Sequence, residues 1–117
     1  MKLTLILRGN AEHPATATAT AVLRGWLARG TQVQLIFLQA DAVALSQPQS
    51  GNMAEEFQQL IQHQQLPVRA CVGGAAARDF CDQSGAPLGE WLPGVSPASL
   101  GELAMEIEHS DRVVTLG

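Results

Sequence analysis

The stretch KLTLILRGNAEHPATATATAVLRGWLARGTQVQLIFLQ, residues 2–39, places a helix pattern between two strand patterns. Its two ends, 2–8 and 32–39, are rich in leucine and isoleucine, as expected for buried strands. Between them, five apolar residues recur on one face of a helix: Ala19, Val22, Leu23, Trp26 and Leu27. Pro14 suits the first turn of that helix, and Gly30 suits the residue after its last turn. The stretch therefore predicts a βαβ unit with two parallel strands.

The alternation of strands and helices continues to the end of the chain. A second helix precedes Pro67, followed by a strand at 68–72, a short helix at 74–82 ending near Gly85, a helix at 97–109 and a strand at 111–116. Four residues of the last helix are expected to face the core: Leu100, Leu103, Ala104 and Ile107. The segment 40–52 is predicted to be a long, functional loop, and 85–97 has turn composition throughout. This order predicts a single-domain, three-layer α/β sandwich over residues 1–117, with a mostly parallel, flavodoxin-like sheet of four or five strands.

Charge and hydropathy exclude several classes of partner. The 117 residues carry a formal charge of −4 and the seven basic residues are scattered, so direct binding of nucleic acid is not expected. No apolar run approaches the length of a membrane span. The N-terminal MKLTLILRGN lacks the long apolar core of a signal peptide. We therefore expect a cytoplasmic protein that binds other proteins and keeps its cysteines as thiols.

Both cysteines lie in VRACVGGAAARDFCD, residues 68–82. Cys71 lies at the carboxyl end of the predicted third strand, and in parallel sheets ligands and reactive groups gather at this end of the strands. Gly73 and Gly74 let the chain turn closely into a helix, whose N-terminal amides would stabilise a thiolate. A small buried hydrophobe fits the same position, since cysteine is often fully buried. The chemistry of the residues alone leaves both interpretations of Cys71 open.

Three stretches of the chain, taken together, resemble one known family. ACVGGAAARDFCD (70–82), FLQADAVALS (37–46) and SLGELAMEIEHSDRVVTLG (99–117) are the stretches concerned. All three are similar to parts of the TusD/DsrE sulfur-relay proteins. The first resembles the family's cysteine-valine-alanine-alanine-alanine stretch and the arginine that follows it. The second resembles the family's second strand and loop, and the third resembles its closing helix and strand. Gly73 and Gly74 stand where the family has alanines. The loop after the second strand lacks the tyrosine and basic residues of the family.

The resemblance implies a role for Cys71. In the TusD/DsrE family the matching cysteine carries sulfur as a persulfide between upstream and downstream carrier proteins, for the thiolation of transfer RNA or for dissimilatory sulfur oxidation. Cys71 would then be the catalytic residue, and Gly73, Gly74 and Arg78 would support the thiolate or contact a partner. The transient persulfide needs no cofactor, and the cysteine spacing suits no metal. The family also implies association with related small subunits, as a hetero-hexamer or a homo-oligomer.

Other functions and positions are also consistent with parts of the sequence. The family contains subunits that assemble a complex without carrying sulfur, and such a subunit could dispense with Cys71. A flavodoxin-like nucleotide-binding module is disfavoured, because the turn after the first strand is not glycine-rich. Cys81, about two helical turns from Cys71, is expected to pack in the core rather than to form a disulfide. Trp91 is expected either in a subunit interface or as a cap on the core.

Overall fold

Five parallel strands form one sheet at the centre of the protein. The computed structural model describes residues 1–117. Its strands are β1 (Lys2–Leu7), β2 (Gln32–Leu38), β3 (Val68–Cys71), β4 (Val95–Ala98) and β5 (Arg112–Leu116). They lie in the order β4-β3-β2-β1-β5, and every neighbouring pair is parallel. The predicted α/β class and the parallel sheet of four or five strands are therefore confirmed.

Helices cover both faces of the sheet. They are α1 (Pro14–Ala28), α2 (Asn52–His63), α3 (Val72–Ala77) and α4 (Leu100–Glu108), together with a 3-10 helix at Ala40–Ser46. The chain steps from β1 to β4 through adjacent strands, and right-handed connections place α1, α2 and α3 on one face. The connection from β4 to β5 runs back across the sheet, so α4 packs on the opposite face, against β2. None of these helices is long and apolar enough to span a membrane.

The central strands and the inner face of α1 supply much of the core. Leu5 and Leu7 are completely buried, because β1 is covered by helices on both faces. The predicted face of α1 is confirmed: Ala19, Leu23 and Trp26 are buried, and Val22 and Leu27 are partly buried. The threonines of this helix are satisfied locally, since the Thr16 hydroxyl donates to the Asn10 carbonyl (2.8 Å) and the Thr20 hydroxyl to the Thr16 carbonyl (3.1 Å).

The prediction of a loop at 40–52 is wrong for the first half of this segment. Residues 40–46 form the 3-10 helix. Four of its residues are completely buried, the apolar Ala42, Val43 and Leu45 and the polar Ser46. The side-chain amide of Gln58 on α2 holds the end of this helix by donating to the carbonyls of Leu45 (3.1 Å) and Gln47 (2.8 Å). Burial of small apolar side chains therefore orders a segment that its composition alone marks as a loop.

α3 begins and ends earlier than the helix predicted at 74–82. Asp79 adopts a φ of +62°, which a continuing right-handed helix cannot contain. The amides of Phe80 (2.8 Å) and Cys81 (3.3 Å) instead turn back to the carbonyl of Ala75. The second half of the predicted helix is therefore a loop.

The prediction of turns throughout 85–97 missed β4. This strand pairs with β3 at the edge of the sheet, where Pro97 is tolerated because edge strands have amides without a partner. Consequently α4 begins at Leu100 and not at Pro97, and the Ser99 hydroxyl caps it by accepting a bond from the Glu102 amide (3.1 Å). Of the four residues expected to face the core, Leu103 is buried and Ile107 partly buried, whereas Leu100 and Ala104 are exposed.

Candidate functional site

The carboxyl ends of β3 and β4 lie at a topological switch point. The chain leaves β3 towards the face that carries α1 and α2, and it leaves β4 towards the face that carries α4. In open α/β sheets a crevice forms where the connections of two neighbouring strands diverge, and ligands bind there. Cys71 is the last residue of β3 and pairs with Ala98, the last residue of β4. The structure therefore places Cys71 at this crevice.

Cys71 is also the residue that precedes the first turn of α3. Its backbone is not helical (φ −57°, ψ 117°), and its side chain makes no capping hydrogen bond. The residue is 9% exposed and its thiol is free, so the side chain is covered but close to the surface. The thiol therefore stands at the junction of β3 and α3 without a hydrogen bond to the helix.

An open groove of about 280 Å³ adjoins Cys71. Val72, which follows Cys71, and Ala98, which pairs with it, both line the groove. The other lining residues are Ser84, Gly85, Pro87, Pro97, Ser99 and Glu102. Small and apolar groups predominate, and Glu102 is the only charged residue among them. Cys71 itself does not line the groove, so a chain segment bound there would lie against its neighbours Val72 and Ala98, beside the covered thiol.

The segment between α3 and β4 forms one wall of the groove. Gly85 (φ +87°) lies so close to Val72 that a Cβ atom there would be 3.1 Å from the Val72 Cγ2. The Asp82 carboxylate holds this turn by accepting bonds from the Ser84 hydroxyl (2.6 Å), the Ser84 amide (2.9 Å) and the Ala86 amide (3.0 Å). These hydrogen bonds, the one from the Ser84 side chain first, hold the pKa of Asp82 below its ordinary value.

Trp91 holds the segment between α3 and β4 against the core. Its indole Nε1 donates to the carbonyls of Phe80 (3.1 Å) and Leu88 (3.2 Å), and its ring packs against the buried cluster. The next residue, Leu92, donates its amide to the Ser46 carbonyl at 2.8 Å. Trp91 therefore packs against the core, which is one of its two expected positions, and its place in a subunit interface stays a prediction.

Arg78 clamps α3 to the 3-10 helix. Its guanidinium pairs with one Asp41 carboxylate oxygen at 3.0 and 3.1 Å and donates to the Gly74 carbonyl at 3.2 Å. Gly74 permits this close approach, since a Cβ atom there would lie 3.4 Å from Val43, whereas Gly73 has no neighbour within 4 Å of that position. The partner Asp41 was missed because its segment was predicted to be a loop. A role for Arg78 towards the thiolate stays a prediction.

Cys81 is the second free thiol, and it lies in the core at 3% exposure. Burial, and to a lesser degree the neighbouring Asp82 carboxylate, raises the pKa of Cys81. Its burial agrees with the expected packing role. The argument from helical distance does not apply, because the chain leaves α3 before it reaches Cys81.

The remaining candidate features contribute no reactive group to this crevice. No group of three or more histidine, cysteine, aspartate or glutamate side chains lies together in a metal-binding arrangement. The His13 Nδ1 accepts a bond from the Ala15 amide (3.0 Å) and so caps α1. The largest cavity, of about 450 Å³, lies at the amino ends of β3 and β4, opposite to Cys71. None of its lining residues adjoins Cys71 in the chain or pairs with it, so we assign the site to the smaller groove.

Comparisons with known proteins agree with this architecture. The sequence matches the model of the DsrE/DsrF-like family over residues 1–116. The fold is similar to the crystal structure of the ychN protein from E. coli, with a TM-score of 0.79, 19% sequence identity and coverage of 98% of both chains. No curated protein matches the chain at a significant level.

Proposed function

Because the chain belongs to the DsrE/DsrF-like family, which is associated with sulfur relay, we propose that it is a sulfur carrier that holds a persulfide on Cys71. The observation that carries the proposal is the position of Cys71, at the switch point and at the start of α3. This is the end of the sheet at which reactive groups of α/β proteins gather. We place the partner segment in the groove lined by Val72 and Ala98, the neighbours of Cys71.

The transfer proceeds by two displacements at sulfur. The Cys71 thiolate attacks the outer sulfur of a donor persulfide, so that an S–S bond forms on Cys71 and the donor leaves as a thiol. An acceptor thiolate then attacks the outer sulfur of the Cys71 persulfide, and the Cys71 thiolate is the leaving group. Each step exchanges one S–S bond for another, so no external oxidant, reductant or cofactor is needed.

The fold contributes position rather than further catalytic groups. Cys71 ends β3 and immediately precedes α3. The ion pair between Arg78 and Asp41 keeps α3 seated on the 3-10 helix, and Gly73 leaves the surface next to the thiol clear. Cys81, which is buried, takes no part in either step.

The wider setting of the proposal follows from the family resemblance. The sulfur would reach the chain from an upstream carrier and pass to a downstream one, in transfer-RNA thiolation as for TusD or in sulfur oxidation. The chain would assemble with related small subunits in a hetero-hexamer or with its own copies. The proposed compartment is the cytoplasm. Direct contact with transfer RNA is not part of the proposal, because the charge of −4 opposes it.

A second candidate function is that of an assembly subunit that carries no sulfur. The low exposure of Cys71, 9%, favours it, since a thiol with a purely packing role would also be covered. The two functions differ in one measurable property, which is whether Cys71 acquires sulfur.

Mass spectrometry after incubation with a low-molecular-weight persulfide donor tests the proposal. We expect a mass increase of one sulfur atom on the wild type and on Cys81→Ser, and none on Cys71→Ser. Circular dichroism should show that Cys71→Ser keeps its fold, because the exchange of sulfur for oxygen changes little volume. Sulfur bound by Cys71→Ser, or a wild type that never acquires it, would instead support the assembly subunit.

A further inference from the structure

The groove beside Cys71 carries a single charge. Of its eight lining residues, Glu102 alone is ionisable. The two ion pairs of the protein join Arg24 to Glu56 and Arg78 to Asp41, so the Glu102 carboxylate has no basic partner within 4.0 Å. This charge is therefore free to act on whatever enters the groove.

The cap of α4 does not use the Glu102 carboxylate either. Ser99 and Glu102 have the spacing of a capping box, in which the serine hydroxyl and the glutamate carboxylate each accept a backbone amide. Only the first of these bonds is present, from the Glu102 amide to the Ser99 hydroxyl at 3.1 Å. The side chain of Glu102 makes no hydrogen bond, so helix capping does not account for its charge.

Nearby charges leave the groove negative. The Asp82 carboxylate anchors the wall that Ser84 and Gly85 contribute, and its hydrogen bonds keep it ionised. Arg69 shares with Glu102 a small cavity between the sheet and α4. However, the guanidinium of Arg69 is turned to the amino end of the strands, where it donates to the Val68 and Gly94 carbonyls. The carboxylate of Glu102 is therefore the charge that a cation in the groove meets.

We propose that Glu102 makes Cys71 selective for partner segments that carry a lysine or arginine beside their reacting cysteine. The proposal rests on the proposed function for its biological meaning, because it names the chemistry of the donor or acceptor of sulfur. A cationic residue of the partner would lie near the Glu102 carboxylate while its sulfur lies against Cys71. An acidic partner segment would be repelled by the same carboxylate.

Thiol exchange with two matched peptides tests the selectivity. Each peptide contains one cysteine, flanked on both sides by lysine in one peptide and by glutamate in the other, and activated as a mixed disulfide with 2-thiopyridine. The Cys71 thiolate attacks the peptide sulfur, an S–S bond forms between Cys71 and the peptide, and 2-thiopyridone leaves and is followed by its absorbance. Peptide mapping by mass spectrometry confirms that the adduct is on Cys71.

The comparison uses Glu102→Gln and, as the matched control, Glu108→Gln. Glutamine keeps the length of the side chain and its capacity to cap, and Glu108 is an exposed carboxylate at the other end of α4. At low salt the wild type should react about fivefold faster with the lysine peptide than with the glutamate peptide. Glu102→Gln should lose most of this preference, and Glu108→Gln should retain it. Added salt should weaken the wild-type preference.

Equal rates for the two peptides in the wild type would overturn the proposal, and so would a preference that Glu102→Gln leaves intact. The exchange reaction does not depend on persulfide chemistry, so its outcome is separate from that of the sulfur-loading experiment. A preference that requires Glu102, in a protein that never accepts sulfur, would contradict the sulfur-carrier function and support the selectivity of the groove. Sulfur loading on Cys71 without any preference between the peptides would support the sulfur-carrier function and contradict the selectivity of the groove.

Discussion

One methyl group at Gly73 should both stabilise the protein and slow the reactions of Cys71. Gly73 lies in the first turn of α3, outside the left-handed region of φ, and a Cβ atom there meets nothing within 4 Å. Replacing glycine by alanine in a helix contributes about 0.5–1 kcal/mol, because the unfolded chain loses conformational freedom. We therefore expect Gly73→Ala to raise the free energy of unfolding by about this amount, measured by urea denaturation.

The same substitution should affect access to the thiol. Because Cys71 is only 9% exposed, we expect a reagent to reach it through local opening of α3. A stabilisation of about 0.5–1 kcal/mol, divided by an RT of about 0.59 kcal/mol, lowers the open population by about two- to fivefold. The rate of alkylation of Cys71 by iodoacetamide, mapped by peptide mass spectrometry, should fall by the same factor.

Gly74→Ala is the matched comparison for this prediction. The added Cβ atom would lie 3.4 Å from Val43 and 3.7 Å from the Ala40 amide nitrogen, which are ordinary van der Waals contacts. Gly74→Ala should therefore also stabilise α3 and slow the alkylation of Cys71. An alkylation rate that stays unchanged in a stabilised Gly73→Ala would refute the reasoning, because the thiol would then be reached through the groove without opening of α3.

Two further predictions concern the segments that surround the site. The ion pair of Arg78 with Asp41 is partly exposed, so its contribution to stability should be small. A double-mutant cycle with Arg78→Ala and Asp41→Ala, measured by urea denaturation, should give a coupling energy of about 0.5 kcal/mol. Additive effects of the two substitutions would show that the ion pair does not hold α3 to the 3-10 helix. The depressed pKa of Asp82 means that its contribution to stability is present above the unfolded pKa of about 4 and is lost as the pH falls towards the folded pKa. Asp82→Asn should accordingly reduce the dependence of the melting temperature on pH below about 4, and an identical acid profile would show that the turn does not depend on this carboxylate.

The βαβ start of the chain could be predicted because local and tertiary preferences agree there. Pro14 begins α1 and Gly30 follows it with a φ of +72°, as their conformational preferences predict. The apolar residues of 2–8 and 32–39 lie in strands that are buried on both faces, so composition alone was sufficient to identify them. Cys71 could be placed at the end of a strand for the same reason.

The second half of the site depends on contacts that are distant in sequence. β4 contains Pro97 and follows a run of turn residues, and only pairing with β3 makes it a strand. The 3-10 helix is ordered by burial against the core and by Gln58 of α2. Neither element has a periodic pattern long enough to be recognised. The ion pair of Arg78 with Asp41, which joins residues on two such elements, could not be predicted either.

The missed strand explains why the thiol could be predicted and its groove could not. If β4 were absent, β3 would be the edge of the sheet, and Cys71 would end a strand with no neighbour on that side. With β4 present, two connections diverge beside Cys71, and the diverging chain brings the start of α4 next to it. Glu102 therefore shares a groove with Val72 and Ala98, the neighbours of Cys71, only because Val95–Ala98 is paired. A substitution that weakens this edge strand should therefore disturb the thiol and its groove together, because Ala98 of β4 is the strand partner of Cys71, whereas the pairing of β3 with β2 ends at Ala70.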